Sequence, residues 1–176
     1  ELAAAEPLVM DPIAICFDEN SRMFVVEMRD YSERRDERLG RIRMLEDTDG
    51  DGQMDQSTVF AEGLPWPTAL AWYDGGLFVA STPDIYYFRD PDGDGKGEEK
   101  KVLFTGFGAQ AARLNVQALP NNLHWTLDNR IHGATSFNGG VVECPMHPER
   151  GQLTLRGQDF SFDPRTLELR AESGGG

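Results

Sequence analysis

Two acidic loops, 43 residues apart, carry the residues best suited to chemistry. The first runs Asp47-Thr48-Asp49-Gly50-Asp51-Gly52-Gln53-Met54-Asp55, and the second Asp90-Pro91-Asp92-Gly93-Asp94-Gly95-Lys96-Gly97-Glu98. Each sets acids at positions 1, 3, 5 and 9 and glycine at position 6. That spacing brings carboxylate oxygens to one point on a tightly turning chain, the arrangement a hard cation such as calcium needs. The expected ligands are Asp47, Asp49, Asp51 and Asp55 in one loop and Asp90, Asp92, Asp94 and Glu98 in the other. Gln53 and Lys96, at position 7, would contribute backbone carbonyls. Position 12 is Thr58 or Lys101, not the bidentate Glu of an EF-hand. Without a cation, four acids in nine residues repel one another. The bland alternative is a pair of turns rich in Asp and Gly that bind nothing.

The elements that must hold these loops read as strands. Ile42-Arg43-Met44-Leu45 precedes the first loop and Ile85-Tyr86-Tyr87-Phe88 the second. At this offset Ile42 matches Ile85, Val59 matches Val102 and Gly63 matches Gly106. A second repeated piece precedes each loop: Leu70 to Val79 aligns at an offset of 54 with His124 to Gly133, and Ala14 to Val26 has the same form. Each is strand, tight turn, strand. The unit is therefore an inner hairpin followed by an outer hairpin. Three such units are expected, at roughly 8–64, 65–107 and 108–173. The third lacks an acidic loop, and its outer hairpin is expected at Gln158 to Phe162 and Leu167 to Arg170. Four-stranded units of about 40–50 residues predict an all-β fold of β-propeller blades. Three blades cannot close a ring of the usual four to eight. A share of a six-bladed ring is favoured over assembly of copies, because open blade faces leave apolar surface and strand edges exposed. Ser32 to Leu39, the one stretch of helix-like composition, reads as a solvated insertion.

Composition narrows the function classes. The chain has 176 residues and a net charge of −13. Such acidity argues against nucleic-acid binding, which needs a basic face. No run approaches a membrane span. The first seven residues lack the basic start and apolar stretch of a secretory signal. The two cysteines, Cys16 and Cys144, are too few for a disulfide scaffold, and Cys16 is expected as a buried free thiol. Cys144-Pro145-Met146-His147 holds only the second half of a c-type haem attachment motif, so no covalent haem is expected in this chain. Calcium loops of ordinary affinity fill best where calcium is millimolar, which points to a periplasmic or extracellular setting.

Several stretches together resemble one bacterial family. They are Phe24 to Tyr31, Gly40-Arg41-Ile42 leading to Leu45 through Gly52, Val102 to Gly108, Leu127 to Ala134 and Asp163-Pro164-Arg165-Thr166. The family is that of the PVC-type membrane-bound dehydrogenases abundant in planctomycetes, also described as haem-binding proteins. Its propeller is similar to the soluble quinoprotein glucose/sorbosone dehydrogenases. The resemblance implies a six-bladed propeller whose mouth holds pyrroloquinoline quinone (PQQ) and oxidises a sugar or alcohol. It also implies a cytochrome c domain or a separate acceptor as electron partner. Such chemistry needs a base for the hydroxyl proton and groups that hold the quinone.

His124, at the start of an inner strand, is the candidate base, or else a packed, hydrogen-bonded histidine. His132 aligns with Phe24 and Phe78; it could touch the cofactor or simply fill the core. His147, in a Pro-flanked loop, reads as a surface residue. Arg29 and Asp30 follow the first inner hairpin and either bind quinone carboxylates or a substrate at the mouth, or form an ordinary surface ion pair. Asn121 and Asn122 either position a ligand or make a turn. Trp66, Trp72 and Trp125 read as packing anchors, or else as a stacking platform for a quinone. The alternative to an enzyme is a calcium-stabilised binding or scaffold module.

Overall fold

The computed structural model describes residues 2–109, 111 and 113–173. Fourteen strands form three antiparallel sheets. Among the described residues there is no α-helix, only four short 3-10 turns, and no helix is long and apolar enough to cross a membrane. The first sheet holds β1 (Pro12–Phe17), β2 (Met23–Glu27), β3 (Gly40–Glu46) and β4 (Gln56–Leu64) in chain order. The second begins with β5 (Pro67–Tyr73), β6 (Gly76–Ser81), β7 (Asp84–Arg89) and β8 (Glu99–Phe107). The third pairs β9 (Asn121–Trp125) with β10 (Ile131–Ala134), then β13 (Phe160–Phe162) and β14 (Leu169–Ala171). Each sheet thus starts with one hairpin and continues with a second. Among the described residues the three sheets form no closed ring.

One hairpin departs from the expected plan. β11 (Gly140–Glu143) and β12 (Gln152–Leu155) lie within the stretch assigned to the third unit, yet they extend the second sheet along the edge of β8. Glycines permit the close approach. A Cβ at Gly106 would lie 2.1 Å from the Val141 carbonyl oxygen, and one at Gly140 would lie 2.6 Å from that of Gly106. The added hairpin gives the backbone groups of β8 partners that an edge strand would otherwise leave to solvent.

The sheets stack as layers because their strands alternate. Phe24, Val26, Ile42, Met44 and Phe60 of the first sheet meet Leu70, Leu77, Val79 and Phe88 of the second. The opposite face of the second sheet, with Ala71, Phe78, Ile85 and Leu103, meets Leu123, Ile131, Phe160 and Phe162 of the third. Aromatic rings tie the layers: Trp72 stacks on Phe24 at 5.1 Å, and Phe78 meets Phe162 edge-on at 5.2 Å. The first strands β1, β5 and β9 lie side by side.

Strand polarity sorts the connections onto two ends. Segments 28–39, 65–66, 82–83, 108–120 and 135–139 join strands at one end, the connection end. Hairpin turns 18–22, 47–55, 74–75, 90–98 and 126–130 share the other, the loop end. Contacts across the connection end hold it together. Trp66 donates its backbone N–H to Asp30 at 3.0 Å, Arg35 donates to the Thr82 carbonyl at 2.7 Å, and Asn138 donates to the Asn115 carbonyl at 2.8 Å.

The outer face of the first sheet is partly covered by residues 2–10. Leu8, Val9 and Ala4 pack on Met23, Val25 and Leu45. Beneath them Glu27 is fully buried. It accepts from the Met10 backbone N–H at 2.7 Å and pairs with Arg41, with Arg43 at 3.6 Å. A buried carboxylate of this kind is tolerated only with several donors.

Candidate functional site

The two acidic loops are built alike. Asp47 accepts backbone N–H bonds from Gly50 at 2.7 Å and Gly52 at 2.8 Å; Asp90 accepts from Gly93 at 2.7 Å and Gly95 at 2.9 Å. The turn requires left-handed backbone at Gly52 (φ 90°) and Gly95 (φ 85°), which explains glycine at position 6. Asp49 and Asp92 each accept from the residue two ahead, at 3.2 Å in both loops. These donors hold the Asp47 carboxyl below the usual carboxylate range, with the Gly52 N–H the largest cause.

Convergence differs between the loops. In the second, oxygens of Asp90, Asp92, Asp94 and Glu98 lie within 4.8 Å of one another. In the first, Asp47, Asp49 and Asp55 do so, and Asp51 stands outside the group. One calcium ion at about 2.3–2.6 Å from each oxygen spans pairs up to about 5 Å apart, so either group fits such an ion. Asp51 instead accepts from the Gln53 backbone at 2.8 Å, and Asp55 is held by Thr48. The Lys96 side chain sits on Asp94 and draws its carboxyl below the usual range. The side chains of Gln53 and Lys96 thus bond to their own loops' aspartates. The second loop leans on the first sheet: Gly97 donates to the Phe60 carbonyl at 2.8 Å, and a Cβ at Gly95 would meet Met44 at 2.8 Å.

The connection end holds two adjoining hollows that share Tyr31 and Val116. One, of about 600 Å³, is lined by Glu33, Trp66, Arg113, Asn115 and Gln117 among others. The other, of about 490 Å³, includes Asp11, Met28 and Arg29. Among the described residues neither Arg29 nor Arg113 forms an ion pair. Asp30 is not the surface partner of Arg29. It is fully buried, ties Trp66 by two hydrogen bonds of 3.0 Å, and leaves Oδ1 without a partner. Burial pushes its carboxyl above the ordinary value, against the Trp66 N–H and the charge of Arg35.

The histidines lie elsewhere. The expected alignment of His124 is one residue off at Leu70 and two at Ala14. Trp72 pairs with Leu77 across four turn residues, whereas Trp125 pairs with Ile131 across five. The longer turn makes His124 the counterpart of Ala71 and Cys16, and a one-residue slip turns a side chain to the opposite face. Leu123 packs in the core and Trp125 against Tyr73. His124, between them, is exposed on the face turned away from the second sheet. It is paired across the strands with His132, the counterpart of Phe78 and Phe24. His132 is bonded to Asp128 at 3.0 Å, whose carboxyl is held well below the usual range by Thr126 first and then His132. Asn122 offers its carbonyl to His124 at 2.9 Å.

The structure therefore brings Asn122, His124 and His132 together but sets Arg29 apart, and neither hollow has a histidine in its lining. Arg113, Asn115, Gln117 and Glu33 escaped the sequence reading. They lie on long connections, where only the fold makes distant residues neighbours. His147 is half-buried and bonded to Glu149 at 3.1 Å. Cys16 and Cys144 are free; Cys16 is only partly buried, and burial pushes its thiol up to about 12. A further hollow, about 610 Å³, lies between the β11–β12 hairpin and the last turn of the third sheet and also has no histidine in its lining.

A family model described as "Domain of unknown function (DUF7133)" matches residues 1–176. The chain belongs to that family. Nothing among curated proteins matches this DUF7133 chain. Its fold is similar to two solved structures from Trichoderma reesei, the iodide and calcium structures of carbohydrate-active enzymes family AA12. The TM-scores are 0.59 and 0.55, each at 16% identity, covering 95% and 94% of this chain. The chain spans 39% and 37% of those two chains. At that identity the likeness is one of fold.

Proposed function

We propose that this chain is a three-blade, calcium-stabilised part of a β-propeller oxidoreductase that binds an anionic quinone of the PQQ type and a sugar or alcohol at its connection end. The observation that carries the reading is the pair of hollows with Arg29 and Arg113, guanidinium groups without carboxylate partners among the described residues of an acidic chain. Similarity of fold to a carbohydrate-active enzyme family over 95% of the chain supports it. So does the side-by-side placement of β1, β5 and β9, as inner strands of blades would lie.

The donor set fits the anionic groups of such a cofactor. Arg29 and Arg113 would hold carboxylates through charge-assisted hydrogen bonds, and Asn115 and Gln117 would bond hydroxyls or carbonyls. Such a quinone would supply the hydride acceptor for the alcohol carbon. Glu33, in the hollow with Arg113, would take the hydroxyl proton; His124 faces another way. Electrons would pass to a cytochrome c domain or a separate acceptor, in a periplasmic or extracellular setting where millimolar calcium fills the loops.

The test is a PQQ titration of the chain in millimolar calcium, followed by absorbance. Saturable binding is expected, weakened roughly tenfold or more by Arg29→Ala or Arg113→Ala, as befits the loss of a hydrogen bond to a charged group. Absence of binding to folded, calcium-loaded protein overturns the quinone reading. One observation favours a second reading, a calcium-stabilised binding or scaffold module: neither hollow has a histidine in its lining to pair with an acid. That module would gain stability from calcium and bind no quinone.

A further inference from the structure

One cross-strand pair recurs in all three sheets. It is Cys16 with Phe24 in the first, Ala71 with Phe78 in the second and His124 with His132 in the third. The first two pairs pack against a neighbouring sheet. The third lies on a face that no other described sheet covers, its ring centroids 6.1 Å apart and its planes inclined by 44°.

Each ring has one nitrogen engaged by an oxygen that can only accept. His124 Nδ1 lies 2.9 Å from the Asn122 carbonyl, and His132 Nε2 lies 3.0 Å from Asp128 Oδ2. In the neutral rings those nitrogens carry the protons and donate them. The lone pairs are then left on His124 Nε2 and His132 Nδ1. A histidine whose far nitrogen donates to a carbonyl or carboxylate is the usual state of a metal ligand: the bond fixes the tautomer, orients the ring and raises its basicity. Here both members of a facing pair are prepared in this way. Asp128 is held in turn by Thr126 and by the Arg130 backbone N–H at 3.1 Å. Two imidazoles sharing one ion at about 2.0–2.1 Å from each nitrogen place their centroids roughly 5–6 Å apart, so a small ring rotation suffices.

We propose that His124 and His132 form a two-nitrogen site for a borderline divalent transition ion such as Zn²⁺ or Cu²⁺, distinct from the calcium loops. Imidazole nitrogen suits these ions, whereas calcium takes oxygen. Two protein ligands leave coordination positions for water or a small anion. The proposal does not depend on quinone binding at the connection end.

The experiment is a zinc titration of the 176-residue chain in excess calcium, which keeps the acidic loops filled, with Cu²⁺ electron paramagnetic resonance as a second readout. One equivalent of zinc should bind, and the copper spectrum should show two coupled nitrogens. His124→Gln and His132→Gln should each remove one nitrogen and weaken zinc binding at least tenfold. Asp128→Asn should weaken it about 10–100-fold, the usual effect of losing such a supporting bond. His147→Gln should change nothing. Circular dichroism checks that each variant is folded. No saturable zinc binding to the folded chain, or binding and spectra unchanged in both histidine variants, overturns the site.

Discussion

The second and third sheets present the same backbone pair and use it in opposite ways. Ala71 and Phe78 are sealed in the core, at 3% and 1% exposure, with Phe78 wedged among Tyr73, Tyr87 and Phe162. His124 and His132 occupy the equivalent register on the third sheet and meet no further layer among the described residues. The hairpin does not dictate whether a position packs or does chemistry. The neighbour does, and the side chain follows. Where a described sheet lies against it, the pair is apolar; on the face that no described sheet covers, polar rings with bonded nitrogens take its place.

The largest effect should come from attacking the sealed side. Phe78→Ala should cost about 3–5 kcal/mol, since it removes a fully buried ring and leaves a cavity. His132→Ala, the matching change on the open side, should alter stability by no more than about 0.5 kcal/mol. Chemical denaturation of the two variants measures both. Equal losses would mean that the third sheet's outer face is as packed as the second's.

The acidic loops extend the comparison to a second repeated element. Calcium at 100 times its dissociation constant should stabilise the chain by about 2.7 kcal/mol per site. Asp92→Ala should lower the melting temperature in calcium more than Asp49→Ala, because four carboxylates converge in the second loop and three in the first. Neither variant should differ from the parent in a chelator. Equal losses with and without calcium would show that the aspartates act only through turn geometry.

A smaller effect should appear at Asp30. Its folded-state carboxyl titrates above the ordinary 3.8, so between the two values the folded chain holds a proton that the unfolded chain has lost. Stability from this group is therefore present below pH 3.8 and is lost as pH rises through the folded value. Asp30→Asn keeps the acceptor for Trp66 and removes the titration. Its stability relative to the parent should grow as pH rises across that window. A difference independent of pH would show that Asp30 is not held against its charge.

Much of this was legible from local pattern. Alternating residues and Asp/Gly turns located the hairpins, and the ligand spacing located both loops, since neighbours in sequence set both. What escaped depends on distant partners. Gly140 to Glu143 and Gln152 to Leu155 are four-residue strands, and the first of them pairs with β8, more than 30 residues away in sequence. The face of His124 turned on one extra residue in a turn, which an ungapped repeat cannot register. Asp30 looked like a surface acid beside Arg29 because nothing nearby in sequence announces that Trp66 will cover it.

The first acidic loop has a further reach. Met54, inside it, donates its backbone N–H to the Ala3 carbonyl at 2.7 Å, and Ser57, just beyond, donates to the Leu8 carbonyl at 2.8 Å. Residues 2–10, which roof the buried Glu27, are thus latched to the first acidic loop. Calcium bound there, as proposed, would act as a remote fastener: its loss should loosen a stretch of chain distant in sequence and admit water to a carboxylate it never touches. Amide exchange at Met10 and Met54, slow in calcium and fast in a chelator, would register both events together.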